Sequence, residues 1–169
     1  GDEYTGYRIA LTANYPPMSV PLKLDITTGD KIMPKEIEYK FKLLLEDRSI
    51  TILAYNLETV LAEKLETILS RGDQNTRSRD YYDIYILAKL QYKNIRPETL
   101  KAALLATTEK RGSAFVTGHY KEIMETVKAS GVMQKQWLDY QKDFEYAADI
   151  AFLDTCNTVM LLMDGLTGR

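Results

Sequence analysis

Lys64 stands where a helix of this pattern should carry an apolar residue. In Leu57–Ser70 (LETVLAEKLETILS), Leu57, Val60, Leu61, Leu65 and Ile68 recur at spacings of three and four, the stripe by which an amphipathic helix buries one face. Lys64 follows Leu61 by three positions and precedes Ile68 by four, so it lies within that stripe, while Glu63 and Glu66 are expected to point outward. The next helical segment, RDYYDIYILAKL, repeats the anomaly: Asp80 and Asp83 share a face with Ile84 and Leu87. Inward charges need partners, because an unpaired buried charge is very costly. One reading is structural, with the aspartates complementing a helix start and Lys64 snorkelling to meet them. The other is a polar cluster built to hold a ligand.

Two further groups could take part. Asp25 sits near the end of a strand-like LKLDI, with Lys23 on the same side. A carboxylate there can ligate Mg²⁺, which prefers oxygen donors and often takes one or two carboxylates plus substrate phosphates; the plainer reading is a solvent-facing residue or a turn starter. Arg71, Arg77 and Arg79 cluster between the two helical segments, either to steer a phosphate or RNA backbone or as a solvated loop.

The elements that must position these groups change character near residue 56. Tyr7–Tyr15 is rich in aromatic and β-branched residues and stops at Pro16-Pro17. Val20–Ile26 alternates as a strand does, Thr27–Asp30 is turn chemistry, and Ile50–Tyr55 is a third strand. Residues 36–45 fit either strand or helix. From Leu57 onward the period is helical: Leu57–Ser70, Arg79–Leu90, Pro97–Glu109, His119–Ala129, Gln134–Asp149 and Ile150–Leu162, with Pro97 suited to a first turn. Trp137, Tyr140, Phe144 and Ala148 form a three-and-four stripe that reads as core packing. The expected organisation is α+β, with a strand-rich part over 1–55 and a helical domain over 56–169.

Composition narrows the function classes. A chain of 169 residues can bury about 70% of its unfolded surface, so its core needs no staples. The net charge of −2, from 22 basic and 24 acidic residues, excludes a globally basic nucleic-acid binder but not a local basic patch. Cys156 is the single cysteine, which rules out an internal disulfide framework and fits a reducing compartment; its apolar setting suits a buried thiol. His119 is the single histidine and has no neighbour to share a zinc ion. No run reaches the ~20 apolar residues of a membrane span, and no leader-like segment opens the chain. The expectation is a soluble, cytoplasmic protein whose Gly1 marks a processing or expression boundary, the natural protein beginning upstream.

The ordered set YTGYRI (4–9), LDITTGD (24–30), LAEKLETILSR (61–71) and RSRDYYDIY (77–85) resembles the AbiEii/AbiGii-type nucleotidyltransferase-like toxins of abortive-infection, type IV toxin–antitoxin systems, with RGS and FVTG near 111–118 as looser echoes. The likeness spans about residues 4–120. It implies a nucleotidyltransferase core, here the remnant of a mixed sheet followed by a helical domain. The family's first motif, a Gly-Ser with a downstream Asp-x-Asp that holds metals, has no match: RGSAF at 111–115 is misplaced and lacks the Asp-x-Asp. The resemblance places that motif before residue 1.

By the same resemblance Asp25 takes the place of a later strand carboxylate that binds metal, and Lys64 that of the lysine contacting the nucleotide. Asp80 and Asp83 become the acidic pair of the helical half, orienting Lys64 or activating an acceptor, with Arg71 and Arg79 as further substrate contacts. The implied chemistry is in-line transfer of a nucleotidyl group from an NTP to an acceptor such as tRNA or another RNA, with Mg²⁺ in the full-length protein and an antitoxin as partner. This chain alone is expected to be inactive, since one strand carboxylate does not hold two metals. The competing readings are a non-enzymatic helical interaction module that binds an antitoxin or another protein, and an RNA-binding accessory domain.

Overall fold

The computed structural model describes residues 6–27 and 32–168. The fold is α+β, in two compact units, Gly1–Lys31 and Ile32–Arg169. In the first, β1 (Gly6–Tyr15) and β2 (Met18–Thr27) form an antiparallel hairpin about the Pro16-Pro17 turn, with Tyr15 opposite Met18 and Gly6 opposite Thr27. Alternation gives the hairpin two unlike faces. Ile9, Leu11, Leu22 and Leu24 share one, and Arg8, Thr12, Lys23 and Asp25 share the other. The turn expected at 27–30 falls outside the described residues from 28 onward, as do Tyr4 and Thr5 of the first motif.

The second unit opens with another antiparallel hairpin, β3 (Ile37–Lys42) and β4 (Ser49–Ala54), which settles the ambiguous stretch 36–45 as strand. Tyr39 pairs with Ile52 and Phe41 with Ile50, the cross-strand aromatic and β-branched combination that favours a sheet.

Among the described residues six α-helices follow: α1 (Leu57–Arg71), α2 (Ser78–Gln91), α3 (Pro97–Arg111), α4 (Val116–Ala129), α5 (Gly131–Asp143) and α6 (Phe152–Thr167). Asn56 caps α1, its side-chain oxygen accepting from the Thr59 amide at 2.8 Å, while its amide donates to the Met33 carbonyl at 2.5 Å. Such a cap is worth about 1 kcal/mol. Gly72 ends α1 at φ 54° and Gly112 ends α3 at φ 65°, a left-handed backbone that glycine adopts without penalty. Leu61, Leu65 and Ile68 of α1 are fully buried, packed in one core with Tyr81 and Ile84 of α2, Met124 of α4, Trp137 of α5 and Val159 of α6.

Two expectations are corrected. The helix expected over Gln134–Asp149 stops at Asp143, because Phe144 turns extended (φ −134°) and residues 145–147 form a separate 3₁₀ turn. The Gln141 side-chain amide reaches the carbonyls of Ala147, Ala148 and Ile150 at 2.9–3.0 Å, satisfying groups that a continued helix would have used internally. Trp137 is core, as its spacing predicts, but Phe144 is 40% and Tyr146 53% exposed. The second correction concerns Glu66, which is buried rather than outward.

Candidate functional site

Lys64 lies mid-way along α1 on the side that meets α2. Its ammonium donates to Asp83 Oδ2 at 2.7 Å and to Asp80 Oδ1 at 3.0 Å. Asp80 occupies the first turn of α2, where a carboxylate complements the helix N-terminus, and Asp83 follows one turn later on the same face. The loop before them is held by Asn75, whose side-chain oxygen accepts from the Arg77 amide at 2.9 Å. The three side chains are 22%, 14% and 24% exposed, so the cluster is sheltered without being sealed. Burial is the largest single influence on Lys64 and pulls its pKa down. The bonds from Asp83 and Asp80 and their charges together outweigh it, so the pKa lies above the ordinary lysine value. Lys64 is therefore a cation at neutral pH.

The cluster abuts a cleft of about 550 Å³ between the start of α2 and α5, lined by Arg77, Arg79, Asp80, Gln136, Asp139 and Tyr140 among others. Two of the three ammonium protons of Lys64 are engaged, and Asp80 Oδ2 is buried with no hydrogen-bond partner. An orphaned acceptor in a native fold asks for an explanation, and a ligand-holding role is one. Arg79 is 77% exposed at the cleft mouth and stands 3.8 Å from Asp83.

Arg71 and Asp25, the other expected site residues, have surroundings of their own. Arg71, in the last turn of α1, lines a separate hollow of about 230 Å³ with Phe115 and Ile123. Asp25 pairs across the first hairpin with Arg8, two bonds of 2.5 and 3.0 Å, and both side chains are well exposed. The Arg8 hydrogen bond holds the Asp25 carboxyl below its usual pKa. Among the described residues no group of three or more His, Cys, Asp or Glu side chains could hold a metal ion. An aspartate engaged by an arginine, with no companion carboxylate among the described residues, does not by itself fit a Mg²⁺ site.

With this geometry in place, the comparisons with known proteins become informative. The family model for the nucleotidyl transferase AbiEii toxin, type IV toxin–antitoxin system, matches residues 1–156. The chain belongs to the AbiEii toxin family. No curated protein and no solved structure matches it. The AbiEii match extends past the motifs that carry the resemblance at about 4–120 and takes in α5 and the start of α6, so the cleft wall formed by Gln136 and Tyr140 lies within it.

Inside the AbiEii match the structure also shows a polar cluster that the stripe argument missed. Glu66 accepts from Arg111 and from the Ser113 hydroxyl at 2.7 Å, and Arg111 approaches Glu63 at 3.6 Å. At the start of α1, the 3% exposed Glu58 accepts from the backbone and side chain of Arg96 at 3.0 and 3.1 Å. Glu58, Ala62, Glu66 and Leu69 form a second buried face, turned toward α3. Its signal in the sequence is Ala62 and Leu69 flanking Glu66 at four and three residues, together with the Arg-Gly-Ser of 111–113. Separately, the Tyr120 hydroxyl donates to Asp164 on α6, beyond the matched residues, at 2.5 Å.

Proposed function

We propose that the chain supplies the nucleotide-handling side of a nucleotidyltransferase-like toxin whose full-length form transfers a nucleotidyl group from an NTP to an acceptor such as tRNA. Lys64 is the phosphate-facing cation. Asp80, which lines the cleft, and Asp83 hold its ammonium and limit its rotamers, leaving one N–H for a phosphate oxygen to accept. Such positioning, with neutralisation of phosphate charge, is most of what phosphoryl and nucleotidyl transfer asks of a protein. Arg79, at the mouth of the same cleft, is placed for a second phosphate contact. Arg71 lies in a different hollow and is left out of this reading.

The observation that carries the proposal is a half-sheltered lysine held by two aspartates beside a cleft, within a chain of the AbiEii family. The test is transfer of a labelled nucleotide to total RNA by the full-length protein. Lys64→Met is expected to lower it at least tenfold, and wild-type transfer by that variant would refute the assignment.

One observation favours a second reading, a protein-binding module. Apolar side chains of both hairpins are exposed, Leu11 and Leu24 at 49%, Phe41 at 45% and Ile52 at 41%. Toxicity retained by full-length Lys64→Met would put that reading ahead.

A further inference from the structure

The break after α5 builds a surface that the nucleotide reading does not use. The chain turns at Phe144, and the 3₁₀ turn brings Tyr146 back against the end of α5. The Tyr146 ring centre lies 4.7 Å from Tyr82, 5.4 Å from Phe144 and 6.4 Å from Tyr140, and Phe144 lies 4.6 Å from Tyr140. The Tyr140 and Tyr146 hydroxyls are 3.0 Å apart and fix the two rings to each other. Phe144 and Tyr146 are 40% and 53% exposed, so the cluster presents aromatic surface to solvent rather than sealing a core.

Tyr140 also lines the cleft that carries Arg77 and Arg79, so aromatic surface and guanidinium groups adjoin. Of the acidic side chains on that wall, Asp80 is held by Lys64 and Asp139 by Lys142 at 2.7 Å. Arg79 also approaches Asp83 at 3.8 Å but is 77% exposed, so it and Arg77 still present guanidinium groups at the cleft, with Asp143 also in its lining. Ring faces beside exposed guanidinium groups match the two parts of an unpaired nucleotide, its base and its phosphate. A purely apolar partner would gain nothing from the arginines.

We infer that Tyr140, Phe144 and Tyr146 form a stacking platform for unpaired bases of a single-stranded nucleic acid, whose backbone is led past Arg77 and Arg79 toward the Lys64 cleft. The inference rests on the nucleotidyl-transfer reading and concerns its acceptor side.

The test uses the whole chain and a fluorescently labelled ten-nucleotide single-stranded RNA of mixed sequence, with the same strand annealed to its complement as the comparison. The single strand is expected to bind more tightly than the duplex. Phe144→Leu and Tyr146→Leu, which keep apolar bulk at exposed positions, are expected to weaken single-strand binding between about fivefold and a hundredfold, the range of one base–aromatic stack. Phe144→Tyr is expected to retain it, and melting temperatures check that each variant is folded. In the full-length protein Lys64→Met is expected to lower nucleotide transfer while the single strand still binds more tightly than the duplex, so the two proposals fail separately. Duplex binding equal to single-strand binding, no binding of either, or leucine variants that bind as wild type would each overturn the platform. If leucine and tyrosine variants fall together with a shared loss of melting temperature, the aromatic cluster is scaffold and the platform is likewise overturned.

Discussion

Replacing Lys64 with methionine separates a ligand site from a scaffold, because the two roles predict different ratios of stability loss to binding loss. Removing the ammonium strands Asp80 and Asp83. In a fully buried setting that costs about 3–5 kcal/mol, and between fully exposed partners about 0–1 kcal/mol. The three side chains are 14–24% exposed, and Arg79 stands 3.8 Å from Asp83 as a residual partner. Methionine refills most of the volume of the lysine stem, which is otherwise flanked by Leu61 and Ile68. The net cost is then about 1–2 kcal/mol, which at roughly 2–4 °C per kcal/mol for a chain of this size lowers the melting temperature by about 2–8 °C. Adding Asp80→Asn and Asp83→Asn should restore most of it, since no charge is then left unpaired. A charge-assisted bond to phosphate contributes about 1.5–3 kcal/mol, so nucleotide affinity should fall by about 10- to 150-fold. The assays are thermal melting followed by circular dichroism and titration of the full-length protein with an NTP. An affinity within twofold of wild type, or a melting temperature lowered by more than about 15 °C, would refute the argument.

Three further outcomes follow from the same geometry. Glu66→Ala takes from Arg111, which is 20% exposed, its nearest carboxylate and from the Ser113 hydroxyl its acceptor, and is expected to cost about 2–4 kcal/mol, read as a melting temperature roughly 5–15 °C lower and so a larger loss than Lys64→Met gives; a loss under 2 °C would show that the cluster contributes little. Burial is the largest influence on Glu58 and raises its pKa, but the Arg96 bonds outweigh it and the folded pKa lies below the ordinary value of 4.5, so the ion pair stabilises the fold above that pH and is lost as pH falls through the folded pKa. The stability difference between wild type and Glu58→Gln, about 1–2 kcal/mol at pH 7, should therefore shrink below pH 4.5 in melts taken between pH 3 and 7, and a pH-independent difference would contradict it. Burial pushes the Cys156 thiol to about 12, so a thiol reagent should label the native chain at a small fraction of its rate in denaturant, and equal rates would show an open site.

The parts of this fold that were legible in the sequence are those where one helix face decides the outcome. Leu57, Leu61, Leu65 and Ile68 announce the face of α1 that carries Lys64. The spacing of Asp80, Asp83, Ile84 and Leu87 announces the face of α2 that answers it. The parts that were not legible are those where a second neighbour intervenes. A single stripe assigns Glu66 to solvent, but α3 covers another side of α1 and brings Arg111 and Ser113 with it. The Trp137, Tyr140, Phe144, Ala148 pattern continues a helical period past residue 143, and only the bonds made by Gln141 to later carbonyls show why the backbone departs from it. Arg8 opposite Asp25 could have been read from the Pro16-Pro17 turn, since a hairpin pivoting there pairs residues whose numbers sum to 33. That register, more than any property of Asp25 itself, is what engages the carboxylate.

Two polar clusters on one helix, made from similar residue types, differ in the one respect that matters for function. Each carboxylate oxygen of Glu66 has a donor, Arg111 for one and Ser113 for the other, and the group is 4% exposed. Nothing remains for a ligand to satisfy, and a structural tie between α1 and the α3–α4 connection accounts for every bond. At Lys64 the accounting does not close. One ammonium proton of Lys64 and one buried oxygen of Asp80 have no partner among the described residues, and Asp80 lines a 550 Å³ cleft together with Arg77 and Arg79. Selection for stability alone tends to saturate or remove such groups, because an unmet buried acceptor costs about 1–3 kcal/mol. That difference supports the proposal that the Lys64 cluster, rather than the Glu66 cluster, is the one that meets a substrate.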